Sequence, residues 1–121
     1  MIIAIDFDGT LCTHEYPKIG KDIGAIPVVK KLMEKRHDLI LFTMRSGKYL
    51  DEAVKWLKDQ GIVFYGINTN PSQSEWTKSP KVYANIYIDD ASLGIPLLND
   101  GNRDYVDWLE VQELLKNKGV I

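Results

Sequence analysis

The chain has 121 residues, 45% of them hydrophobic and 26% charged, a globular balance that excludes a disordered segment and fits a single domain spanning 1–121. Fifteen Lys and Arg against seventeen Asp and Glu give a formal net charge of −2. That balance supplies no electrostatic case for a nucleic-acid or membrane partner, a local basic patch aside. One cysteine, Cys12, excludes an intramolecular disulfide, and no apolar stretch approaches the length of a membrane span. The first apolar run has no basic region before it and meets Asp6 within a few residues, unlike a secretory signal, so a cytoplasmic protein is expected.

Strand and helix signals alternate along the chain. Residues 2–7 read as a buried strand that ends in Asp6-Phe7-Asp8-Gly9-Thr10. Residues 11–23 lack periodicity and contain Pro17 and Gly20, which predicts a loop or small hairpin. Pro27 suits the first turn of a helix whose stripe is Val28, Val29, Leu32 and Met33. Residues 39–42 form a second buried strand ending at Thr43. Leu50, Ala53, Val54 and Leu57 mark a second helix, with Gly61 placed to stop it. Residues 62–65 read as a short third strand, and 68–80 as a polar loop with about one helical turn. Residues 86–88 are a fourth strand ending at Asp89-Asp90. Residues 95–98 are a weak fifth, at a sheet edge because of Pro96, and 106–118 a terminal helix. The expected fold is therefore α/β: a three-layer, Rossmann-like parallel sheet of about five strands flanked by helices. The gaps after Thr10 and after Asn68 are too short for an inserted cap domain.

Three strand exits carry polar residues: Asp6/Asp8/Thr10, Thr43-Met44-Arg45-Ser46 and Asp89-Asp90. In a parallel sheet such exits converge on one edge. Asp6 and Asp8, two apart on extended backbone, point the same way and repel unless a cation or proton separates them. Lys78 and Lys81 precede the fourth strand and can bring an ammonium to the same edge. Carboxylates without nitrogen ligands suit a hard divalent ion, Mg²⁺ first. A hydroxyl and a lysine beside Mg²⁺ suit a phosphoryl group.

The order Asp-x-Asp-x-Thr, strand-end Thr, Lys, Asp-Asp resembles the haloacid dehalogenase (HAD) superfamily, over residues 2–90, and in particular its small capless phosphatases. The resemblance implies a Mg²⁺-dependent phosphomonoester hydrolase. Asp6 would be the nucleophile that forms an aspartyl-phosphate, and Asp8 the general acid and then base. Thr43 and Lys81 would hold the phosphoryl oxygens, with Lys78 the fallback for Lys81 and Arg45 a further candidate contact. Gly9 would turn the motif loop and Thr10 brace it. Asp6, the backbone carbonyl of Asp8, and Asp89 with Asp90 would form the metal shell.

Without a cap, water exclusion falls to the 11–23 loop, to a second subunit in a homo-oligomer, or to a bulky substrate. The partner expected is accordingly a phosphorylated small molecule, such as a sugar phosphate, or a larger phosphoester. A phosphotransferase would use the same residues. A phosphoacceptor domain like a response-regulator receiver fits less well, because its phosphoacceptor aspartate ends the third strand and none stands near Tyr65-Gly66-Ile67. A binding protein without turnover finds no support in a chain whose catalytic positions are all filled. Cys12 reads as a packing residue and His37 as a surface histidine; His14 reads as a surface histidine too, although its loop is placed to touch a leaving group, and Trp56, Trp76 and Trp108 read as core or interface residues, with Trp76, in the polar loop near the edge, the one that could instead be a binding platform.

Overall fold

The computed structural model describes all residues, Met1 to Ile121. Four short strands form a parallel sheet in the order β3-β2-β1-β4: β1 (Ile2–Ile5), β2 (Asp38–Leu41), β3 (Gly66–Ile67) and β4 (Ile86–Ile88). Three helices flank it, α1 (Ala25–Glu34), α2 (Gly47–Asp59) and α3 (Trp108–Asn117), in an arrangement compatible with a Rossmann-like fold. The register sets Ile5 beside Leu41 on one side and Ile88 on the other. The chain thus leaves β1, β2 and β4 at one level, which brings Asp6, Phe42 and Asp89 to the same edge.

Strand alternation divides the sheet residues between two faces. Ile3, Ile5, Leu39, Leu41 and Ile88 pack with buried residues of all three helices. Ala4 and Ile40 face the other way and are covered by Val82 and Ala84. The expected three layers are therefore two layers of regular structure plus a strap, residues 68–85. Handedness explains this. The β1-α1-β2 and β2-α2-β3 crossovers advance in one direction, so right-handed connections place both helices on one face. The return from β3 to β4 runs the opposite way and must cross the other face. Its only regular structure is one 3₁₀ turn, Gln73–Glu75.

The third strand is displaced from its expected position at residues 62–65. Ile62 is taken up in closing α2: its N–H donates to the Leu57 carbonyl and that of Gly61 to the Lys58 carbonyl, a Schellman closure with Gly61 at φ +84°. Val63 is then exposed, and pairing with β2 resumes only near Gly66. A side chain at Gly66 would collide with the carbonyl of Thr69.

The expected fifth strand does not join the sheet. β5 (Leu97–Asn99) pairs antiparallel with β6 (Asp104–Val106) in a separate hairpin. Asx turns build the connection: Asn99 Oδ1 accepts from the Gly101 N–H, and Asp100 Oδ1 from those of Asn102 and Arg103. Val106 is consequently strand, and the terminal helix starts two residues later than expected, capped by the Asp107 carboxylate.

Candidate active site at the strand exits

The first motif turns tightly as β1 ends. The N–H groups of Thr10 and Leu11 both donate to the Phe7 carbonyl. Gly9 adopts φ +77°, and a Cβ there would strike the carboxylate of Asp90. Both the turn and the approach of the two motifs therefore require glycine. Thr10 is fully buried and joins them: its hydroxyl donates to Asp6 Oδ2 at 2.9 Å and accepts from the Asp90 N–H at 3.0 Å. The hairpin and α3 secure the same loop. The Val106 N–H donates to the Gly9 carbonyl, and Trp108 Nε1 donates to the Thr10 carbonyl at 2.6 Å.

Asp6, Asp89 and Asp90 come together, each offering a carboxylate oxygen within 4.8 Å of the others. Burial, and then the charge of Asp89, push the Asp6 carboxyl up to about 7; burial lifts Asp90 as well. Three carboxylates this close and half-buried could hold a cation, or be relieved by a proton. The all-oxygen donor set fits a hard divalent ion, and the residues expected to hold Mg²⁺ are suited to it.

Asp8 is turned away from this cluster. Its carboxylate is gripped bidentately by Arg45, Nη2 to Oδ1 at 2.8 Å and Nε to Oδ2 at 2.9 Å. The remaining Arg45 N–H groups donate to the carbonyls of Pro17, Lys18 and Tyr49. The guanidinium lies 4.8 Å from the Phe7 ring and 5.2 Å from that of Tyr16. All five donors of a fully buried side chain are thus committed within the protein. Arg45 has none left for a phosphate oxygen, which corrects the expectation that it contacts phosphate directly. Thr43 stands as expected at the exit of β2, its hydroxyl accepting from the Arg45 N–H and its N–H donating to Asn68 Oδ1.

Lys81 and Lys78 are separated by the strap. Lys81 lines a cavity of about 370 Å³ together with Asp6 and Asp89, whereas Lys78 lines another, formed by the strap itself. The buried side chain of Gln73 fixes the backbone around Lys81, donating to the Lys81 carbonyl at 2.6 Å and accepting from the Tyr83 N–H at 2.7 Å. Nothing in the polar run around Gln73 distinguished it from its neighbours.

A larger cavity, about 560 Å³, opens over Asp6, Asp8, Thr43, Asp89 and Asp90. His14 and Tyr16 reach it from the loop after β1, and Arg103 from the turn that connects the hairpin strands. His14 therefore lines the site and does not simply face solvent. Arg103 is not among the expected site residues; its signal lies in the Asx-rich turn, Asn99-Asp100-Gly101-Asn102, that precedes it. Cys12 is buried and its thiol is pushed up to about 12, leaving it inert. His37 is remote, its Nε2 2.7 Å from the Val120 carbonyl. Trp56 packs edge-on against Phe7 and Trp108 is buried, as expected for core residues, while Trp76 is exposed against Tyr83. No helix is long and apolar enough to cross a membrane.

No protein-family model and no curated protein matches the chain. Among solved structures it is similar to a conserved protein from Bacteroides thetaiotaomicron, with 38% identity and a TM-score of 0.82 over 98% of this chain and 91% of that one.

Proposed function

The chain belongs to the same family as that conserved Bacteroides protein, and from this footing we propose that it is a Mg²⁺-dependent phosphomonoester hydrolase of the haloacid dehalogenase type. The observation that carries the reading is the junction at Thr10, which ties the first-motif aspartate to the Asp89-Asp90 exit and gathers three carboxylates where the strands end. We take the chain to be a single capless domain of the cytoplasm, acting on a small phosphoester.

Mg²⁺, held by Asp6, Asp89 and Asp90, would neutralise charge on the phosphoryl group. A carboxylate oxygen of Asp6 attacks phosphorus, and the bond to the leaving oxygen breaks as Asp8, released from Arg45 and protonated from solvent beforehand, supplies that proton to it. Water then attacks the aspartyl-phosphate, Asp8 takes the proton back, and inorganic phosphate leaves. Thr43 and Lys81, each lining a cavity that also contains Asp6, would hold the phosphoryl oxygens. Because Asp8 rests against Arg45, the proton transfers require it to exchange the guanidinium for the leaving oxygen. The 11–18 loop, tied to Arg45 through Pro17 and Lys18, is the element that must yield.

The test is phosphate release from aryl, sugar, nucleoside and polyol phosphates, with Mg²⁺ and after chelation. Release that needs Mg²⁺ and disappears in Asp6→Asn supports the reading. Release by the Asp6→Asn protein at the wild-type rate refutes the nucleophile.

A further inference from the structure

The cavity above the carboxylates is far larger than a phosphoryl group and leaves room for a leaving group beside it. Above its carboxylates, three side chains that can donate hydrogen bonds line it. His14 and Tyr16 come from the loop after β1 and Arg103 from the hairpin. None of these side chains is hydrogen-bonded within the chain, and the protein's three ion pairs are Arg45–Asp8, Lys55–Asp59 and Lys116–Glu113. Arg103 thus faces a cavity floored by four carboxylates and pairs with none of them. Its placement is nonetheless built. Its N–H donates to Asp100 Oδ1 at 2.8 Å, its carbonyl accepts from the Asp100 N–H, and β6 is fastened to the motif loop through Gly9.

The cations of the site are divided. Arg45 is consumed by Asp8, and Lys81 lines the smaller cavity and not the larger one. A guanidinium left unpaired over the leaving-group space serves neither of them. A neutral sugar or an aryl ring would offer it no partner. An anionic group would, and the imidazole and phenol lining the same cavity are further donors for it.

We propose that Arg103, with His14 and Tyr16, forms a recognition site for a second anionic group on the leaving group, so that the preferred substrate is a phosphomonoester that also carries a carboxylate or a further phosphate. This rests on the hydrolase reading for its orientation, with the ester phosphate at Asp6.

Matched pairs test it: phosphoglycolate against hydroxyethyl phosphate, and ethylene glycol bisphosphate against the same monoester. Binding is measured by calorimetry on the Asp6→Asn protein with Mg²⁺, and turnover on the wild type, with p-nitrophenyl phosphate as the probe of hydrolysis itself. The doubly anionic member is expected to bind about tenfold more tightly, the worth of one charge-assisted contact. That ratio should fall to near one in Arg103→Gln and largely survive in Arg103→Lys. The carboxylate and bisphosphate arms show which anion is preferred. Equal binding of the paired members, including binding of neither, overturns the proposal, as does a ratio indifferent to Arg103→Gln. Failure to hydrolyse p-nitrophenyl phosphate counts against the hydrolase reading alone, because the binding ratio still decides the anion site.

Discussion

Two ion pairs show how context sets the worth of a charge. Lys55–Asp59 is exposed on α2, where water screens it, and Lys55→Ala should change stability by less than about 0.5 kcal/mol. Arg45–Asp8 is different. Removing the guanidinium strands a carboxylate and three backbone carbonyls at once. Arg45→Met should therefore cost about 3 kcal/mol in urea unfolding, and Arg45→Lys should recover only part of it, since an ammonium cannot reproduce the fork. The carboxylate cluster makes a second prediction. Burial and the charge of Asp89 raise the Asp6 carboxyl from its ordinary value of 3.8, expected of the unfolded chain, to about 7 in the folded protein. Between those values the folded state holds a proton that the unfolded state has lost, so the group's contribution to stability falls as pH rises through that window. The metal-free protein should melt lower at pH 7.5 than at pH 5, with the difference reduced in Asp89→Asn. Mg²⁺ should raise the melting temperature most at the higher pH. Melting curves with chelator and with Mg²⁺ check both, and an equal Mg²⁺ effect at the two pH values would contradict the assignment of the metal to these residues.

At the scale of elements, β1, β2, β4 and the first two helices were legible because each carries one signal without competition. An apolar run marks the strands, a 3.6-residue stripe the helices, and Gly61 the end of α2. Gly61→Ala should cost about 1 kcal/mol at its positive φ and leave Mg²⁺ binding unchanged. The third strand was misplaced because Ile62, apolar and β-branched, serves the helix closure. The hairpin is hard to read because its strands are only three residues long, β5 being wholly exposed and β6 burying only Val106 in the core. Their signal lay in the turn, Asn99-Asp100-Gly101-Asn102, whose side chains set the backbone. The hairpin leads into α3, whose first residue supports the motif loop. Trp108→Phe keeps the packing but leaves the Thr10 carbonyl without its donor. It should cost about 2 kcal/mol and weaken Mg²⁺ binding, measurable by calorimetry.

The whole molecule is asymmetric about its sheet. Helices cover one face, and the other carries a strap whose Val82 and Ala84 do the packing while its Lys81 reaches the Asp6 edge. The carboxylates were readable because a parallel sheet must deliver its strand exits to one place, and Asp6, Asp89 and Asp90 do meet there. The partnership of Arg45 with Asp8 was not readable. It depends on the 11–18 loop folding back over residue 45, and that loop has no periodicity. Arg103 and Gln73 were hidden for the same reason: each acts from an irregular segment whose path is set by side-chain hydrogen bonds.

The central claim, that Asp6 is the nucleophile, is tested most directly by acid-quenching the protein with Mg²⁺ and p-nitrophenyl phosphate within a single turnover and mapping its peptides by mass. A phosphoryl group on the peptide containing Asp6, lost on longer incubation and not formed after chelation, is the expected result. Steady phosphate release with that peptide unmodified at every time, and undiminished release in Asp6→Asn, would contradict it.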